Sequence, residues 1–219
     1  PVMALEGWIT VDTARDLFSR AGLDYETQKE RAASPDFDAV GLDAQVTARV
    51  RNSVREGKSY NVAGRLPGTD RPEEAVVYMA HWDHLGRNMA LPGSAGIFNG
   101  AIDNASGTAV VLELARMNAR VGPAERTGMF LLVTLEEYGL LGSRHYVNDP
   151  AFPPQDTVAA INLDAFSFMA GPTEDMVVIG FGSSELEDVL AATLEESDRY
   201  IVEEPTPEAG YYYRSDHFN

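Results

Sequence analysis

Two uninterrupted apolar runs, at 75–80 (AVVYMA) and 128–135 (GMFLLVTL), constrain this chain most, because an apolar-periodic stretch at 106–120 lies between them. A run without alternation does not suit a sheet with one wet face, so both runs are expected as strands covered on both sides. The stretch between them is long enough to be the helix of a crossover, and crossovers join parallel strands. The alternation continues with a helix expected over 140–147, strands over 157–163 and 176–179, and a helix over 183–197 carrying Leu186, Val189, Leu190, Thr193 and Leu194 on one face. A short strand is expected at 200–202. This order predicts an α/β fold, with a mixed, mostly parallel twisted sheet and helices on both faces.

Ahead of the runs, the spacing of Ala14, Leu17, Phe18 and Ala21 predicts a helix over 11–21, with Asp12 or Thr13 as its cap and Gly22 as its stop. Residues 47–55 alternate apolar and polar, and after Glu56-Gly57-Lys58 the chain runs on through 59–66 to Pro67-Gly68. A β-hairpin is expected there, and it would make the sheet mixed.

Composition removes several function classes. A formal net charge of −17 and a pI near 4.5 exclude a nucleic-acid partner, whose phosphates would be repelled. No stretch approaches the roughly 18 apolar residues of a membrane span. There is no cysteine, so any metal must be held by histidine and carboxylate, which suits catalytic rather than structural zinc. The length of 219 residues fits one domain, 1–219, and the missing initiator Met reads as a processed or excised segment.

Chemistry-bearing residues cluster in five short segments: H81-W-D-H84, N99-G-A-I-D103-N, L135-E136-E137, N162-L-D164 and R214-S-D-H217. Three of the five directly follow expected strands, and ligands in open α/β sheets bind at the carboxyl ends of strands. His81 leaves its strand with Asp83 two residues on, a pair in which the carboxylate can orient a metal-bound imidazole. His84 reads as a residue that shapes the loop. Asp103 sits among small residues at a helix start, where capping is the ordinary role of Asp, Asn or Ser. Glu136-Glu137 is the sharpest signal: one carboxylate can bind metal while its neighbour moves a proton. Asp164 and His217 alone would be a turn residue and a surface histidine.

As an ordered set these segments resemble the dinuclear zinc aminopeptidase family, which also includes glutamate carboxypeptidases and the transferrin-receptor ectodomain. The resemblance runs from Tyr60 (Y-N-V-A-G-R-L-P-G) to Asn219. It looks closest to bacterial leucyl-type aminopeptidases, through P-E-A-G-Y-Y-Y-R-S-D-H-F at 207–218. It implies a three-layer zinc-peptidase sandwich and two zinc ions per chain, with His81 and Asp164 on one, Glu137 and His217 on the other, and Asp103 bridging. Glu136 would be the general base, Asp83 the partner of His81, and the Asp103–Asn104 peptide cis. The implied reaction is removal of N-terminal residues from peptides with a free N-terminus, in a periplasmic or secreted parent protein. The family fold continues past its last histidine, and many relatives carry a protease-associated insert. The chain is therefore expected to be a C-terminally truncated fragment, with 1–10 the exit of such an insert.

The rival readings are a carboxypeptidase or dipeptidase of the same superfamily and a catalytically silent receptor-like binding module. No basic cluster stands out to receive a free carboxylate, and no ligand or base is lost. The 53 residues from Asp164 to His217 leave no room for the lid of the related deacylases. A mononuclear glutaminyl-cyclase-like enzyme would not need His81 as a ligand.

Overall fold

The computed structural model describes residues 7–166 and 174–219. Residues 1–6 of the opening segment lie outside the described residues. The chain divides into two compact units, Pro1–Glu56 and Gly57–Asn219.

The first unit holds two helices, α1 (Val11–Arg20) and α2 (Tyr25–Arg31). The cap of α1 is Thr10 rather than Asp12 or Thr13, since its hydroxyl accepts from the Thr13 N–H at 3.2 Å. Gly22 follows at φ +74°, the left-handed conformation that ends a helix. Asp24 caps α2 through the Thr27 N–H at 2.8 Å, and Phe18 meets Tyr25 edge-on. Helix α2 was not foreseen, because seven mostly polar residues carry little apolar period.

The second unit is built on a four-stranded sheet in the order β1 (Val62–Leu66), β3 (Arg126–Val133), β2 (Arg71–His81), β4 (Thr157–Asn162). Strands β3, β2 and β4 are parallel and β1 is antiparallel to β3, so the sheet is mixed as expected. The hairpin does not form. Residues 37–61 carry no strand, and Val46, Val50 and Val54 are 73, 68 and 86% exposed. Alternation makes a strand only where its apolar face finds cover. The partner of β1 is instead distant in sequence, with Val62 opposite Leu132 and Leu66 opposite Gly128.

Apolar side chains of the central strands part to the two faces in period two. Val77, Met79, Met129, Leu131 and Val133 join Ala75, Phe152 and Tyr146 on one face; Tyr146 belongs to α4 (Leu141–Asn148). On the other face Ala80 and Phe130 pack with Val111 and Leu114 of α3 (Ala105–Val121). Helices therefore cover both faces. The remaining elements are β5 (Asp175–Val177), α5 (Leu186–Glu195) and β6 (Tyr200–Val202), and β5 and β6 make a separate two-stranded parallel sheet. Among the described residues no helix is long and apolar enough to cross a membrane.

Candidate active site

Parallel strands end at one rim, and here β2 runs between β3 and β4. His81 is the last residue of β2, Glu136 and Glu137 follow β3, and Asp164 follows β4. Three of the five segments are therefore neighbours by topology. Two positive-φ residues re-aim the chain as it leaves the sheet: Leu135 at +56° just before the glutamates and Ala165 at +55° just after Asp164. Such a conformation in a non-glycine residue costs on the order of 1 kcal/mol and concentrates at functional sites.

Asp103 arrives from the start of α3. The helix is capped by its neighbour Asn104, whose side chain accepts from the Gly107 N–H at 3.0 Å. The Asp103 carboxylate is thus left free of the capping role. Asn104 is 1% exposed, donates to the Leu163 carbonyl at 3.0 Å and accepts from the Ala165 N–H at 3.2 Å, clamping the helix start to the turn that carries Asp164. Gly107 allows this approach, because a Cβ there would lie 2.1 Å from the Leu163 carbonyl oxygen. The Asp103–Asn104 peptide is cis, the geometry that the resemblance implies.

Nε2 of His81, itself 1% exposed, faces the Oδ1 atoms of Asp103 at 3.0 Å and Asp164 at 3.3 Å. Its Nδ1 lies 3.0 Å from the Asp83 carbonyl oxygen, a pure acceptor, so the hydrogen is assigned to Nδ1. The Asp83 carboxylate is farther off, at 3.9 Å. Asp83 thus orients the ring through its backbone. Burial pulls the His81 pKa down, but the hydrogen bond and charge of Asp164, with Glu136 and Asp103 behind it, raise it to about 9. Asp164 is held below the usual carboxylate range: burial opposes this, and His81 and the Ser215 hydroxyl outweigh it.

Two groups of ligand atoms overlap at Asp103: His81, Asp103 and Asp164, and His84, Asp103 and Glu137, with the atoms of each group within 4.8 Å of one another. Asp103 Oδ1, His84 Nδ1 and Glu137 Oε1 are buried, and their polar contacts are with His81 and with one another. Carboxylates gathered this closely repel one another unless a cation sits among them. The donor set, imidazole nitrogen and carboxylate oxygen, fits a divalent transition metal.

Glu136 stands beside these groups. Its pKa is raised to about 7, first by burial and then by the negative charges of Asp164, Asp216 and Glu137, against the pull of His81. A carboxylate poised near neutrality is suited to moving protons.

His217 lies on a short 3-10 turn (Asp216–Phe218), outside both groups, its ring edge-on to Tyr212 at 5.1 Å. Its Nε2 is buried without a hydrogen-bond partner, and burial lowers its pKa against the opposing charge of Asp164. Asp216 escaped the sequence reading. It is 2% exposed and accepts from the Ser143 hydroxyl at 2.6 Å, and burial pushes its pKa up to about 6. Ser215 donates to Asp164 and accepts from Asn162 at 2.7 Å, so the closing S-D-H pins the chain to the rim. His84, expected to shape the loop, also contacts Glu137. Its only sequence signal was its place beside H-x-D.

The sequence profile of Peptidase family M28 matches residues 61–219. The chain belongs to this family. It is 30% identical over 148 residues to the mouse (Mus musculus) aminopeptidase NAALADL1, covering 64% of this chain and 18% of that protein. It is 33% identical over 114 residues to aminopeptidase YwaD of Bacillus subtilis, covering 52% of this chain and 22% of the relative. The chain thus spans about a fifth of the length of these two relatives. The crystal structure of Legionella pneumophila LapA superimposes with a TM-score of 0.54 at 22% identity, covering 94% of this chain and 51% of LapA, a likeness of fold. The M28 chain therefore shares the α/β framework of its family, and its five segments fall within the matched residues.

Proposed function

We propose that this M28 chain is the catalytic part of a zinc-dependent aminopeptidase that releases N-terminal residues from peptides. The observation that carries the reading is the pair of donor groups sharing Asp103, with Glu136 at their side. His81, Asp103 and Asp164 would hold one zinc ion, and Asp103 and Glu137 the other, with His217 the further ligand that the family resemblance implies. The names of the relatives, aminopeptidase in both the mouse and the Bacillus protein, support the substrate class.

A bound zinc pair would supply Lewis acidity, lowering the pKa of a water and polarising the peptide carbonyl. Glu136 takes the proton of the attacking water and hands it to the leaving amine nitrogen, so one water is consumed and one C–N bond broken. Asp83 fixes the ring of His81 through its carbonyl, and Asn104 fixes the position of Asp103. The acidic rim suits the free α-ammonium of a peptide N-terminus. A periplasmic or secreted setting is part of the same proposal.

The test is metal analysis with hydrolysis of aminoacyl-arylamides, with and without Glu136→Gln. Two zinc ions per chain and a large loss of turnover in the variant are expected. Full activity in the variant, or no zinc uptake by the wild type, overturns the reading.

A further inference from the structure

We infer that Asn61 is a positioning residue for Glu136 and Glu137: its side-chain amide ties together the entry and the exit of the turn that carries them. The inference rests on the aminopeptidase reading above and adds to it a residue that acts through the backbone of the turn. That turn joins β3 to α4. Three of its residues are left-handed: Leu135 at φ +56°, Gly139 at +97° and Leu140 at +59°. Non-glycine residues stay in that conformation only where their surroundings hold them there. Inside the turn, Gly139 and Leu140 both donate their N–H to the Glu136 carbonyl at 2.9 Å, and Leu141 donates to the Leu135 carbonyl at 3.1 Å. These bonds shape the turn but do not tie it to the sheet.

Asn61 supplies that tie. It directly precedes β1, and the pairing of Val62 with Leu132 brings it beside the end of β3. Its Oδ1 accepts from the Thr134 N–H at 3.1 Å, and its Nδ2 donates to the Gly142 carbonyl at 2.8 Å. One planar amide therefore spans both ends of the turn, with its oxygen on the donor and its nitrogen on the acceptor. Gly142 makes the approach possible: a Cβ there would lie 2.2 Å from the Thr134 carbonyl oxygen and 2.7 Å from Oδ1 of Asn61. The residues ahead of Asn61 are anchored too. Ser59 Oγ meets the hydroxyl of the buried Thr134 at 2.7 Å, and Trp82, next to His81, donates its indole N–H to the Tyr60 carbonyl at 3.1 Å. The amide cannot swing aside without breaking these bonds. Asn61 thus sets where the glutamate pair stands against His81 and Asp103, and a misplacement of about 1 Å at a reacting group can cost about 10²-fold in rate.

The test compares the whole chain with Asn61→Ala and with Asn61→Ser, a milder variant whose hydroxyl can serve one end of the turn at most. Thr127→Val is the control. Thr127 makes the same kind of bridge at the opposite end of β3, accepting from the Gly68 N–H at 3.1 Å and donating to the Pro72 carbonyl at 2.8 Å. Amide hydrogen exchange is measured on the metal-free protein, and kcat and KM for an aminoacyl-arylamide at saturating zinc. In Asn61→Ala the Gly139 and Leu140 amides should exchange at least about tenfold faster relative to those of β2. Its kcat should fall about 10²-fold with KM nearly unchanged. Asn61→Ser should show both effects at about threefold or more, and it decides the matter if Asn61→Ala does not fold. Thr127→Val should lower stability and leave both readouts at wild-type values. Turn amides that exchange as in the wild type, a kcat that stays at the wild-type value, or an equal fall in Thr127→Val overturns the inference and leaves the aminopeptidase reading to Glu136→Gln. A wild type without zinc uptake or turnover overturns both.

Discussion

The two donor groups at the rim are built differently although they share Asp103. The His81 group is wired: His81 and Asn104 are each 1% exposed, Asp164 accepts from Ser215, and the His81 ring is steered by the Asp83 carbonyl. The His84 group is held more loosely: its imidazole meets the Glu137 carboxylate, and neither of those two atoms has a further hydrogen-bond partner. Hydrogen bonds hold the first in shape, whereas the second rests on one imidazole–carboxylate pair. Position on the sheet explains the contrast. The first group grows from the ends of two adjacent parallel strands, β2 and β4, and the second from a loop and a post-strand turn.

Predictions follow that difference, largest first. Glu136→Gln keeps the shape of both groups and removes the base, so turnover should fall by about 10²–10⁴-fold with both ions retained. Steady-state kinetics beside metal analysis checks this, and loss of metal would show that Glu136 is a ligand instead. Asn104→Ala removes a buried helix cap and two part-buried hydrogen bonds to the turn that carries Asp164, and should cost about 2–4 kcal/mol in denaturant unfolding of the second unit. An effect below about 0.5 kcal/mol would mean that the first group is not held by this clamp. Ser215→Ala removes one hydrogen bond to the Asp164 carboxylate and should cost about 1.5–3 kcal/mol in the same unfolding measurement.

The smallest effect concerns pH in the metal-free chain. The folded pKa of Glu136 is about 7 against an ordinary 4.5, so the folded state binds its proton more tightly than the unfolded state does. Glu136 therefore lowers stability as pH rises from 4.5 through 7, and the penalty is complete above 7. His81, Asp164, Asp216 and Glu137 are the charged groups that face it. Glu136→Gln should stabilise the metal-free protein at pH 8 relative to wild type, with the difference fading near pH 4. Thermal unfolding at the two pH values measures it, and an equal shift at both would exclude the titration as its cause.

Much of this is legible in the sequence. Continuous apolar runs at 75–80 and 128–135 announced buried parallel strands, since covering both faces leaves no polar alternation. The residues at their ends stood out as carboxylates and histidine where an apolar strand has no other use for them. The hairpin over 47–66 was misread, because its valines alternate as a strand would but the tertiary structure gives them nothing to cover. Asp216 was missed for a related reason. A buried aspartate looks like its surface counterpart until the fold removes the water around it.

The sequence by itself determined the strand–helix order, the parallel rim and the inventory of groups gathered there, because periodicity and strand ends are local properties of a chain. Only the tertiary structure decided that Asn104, not Asp103, caps the helix, that β1 pairs with β3, and that Asp103 stands between two donor groups. Those outcomes depend on which residues of different elements meet, and on which polar atoms are left without water.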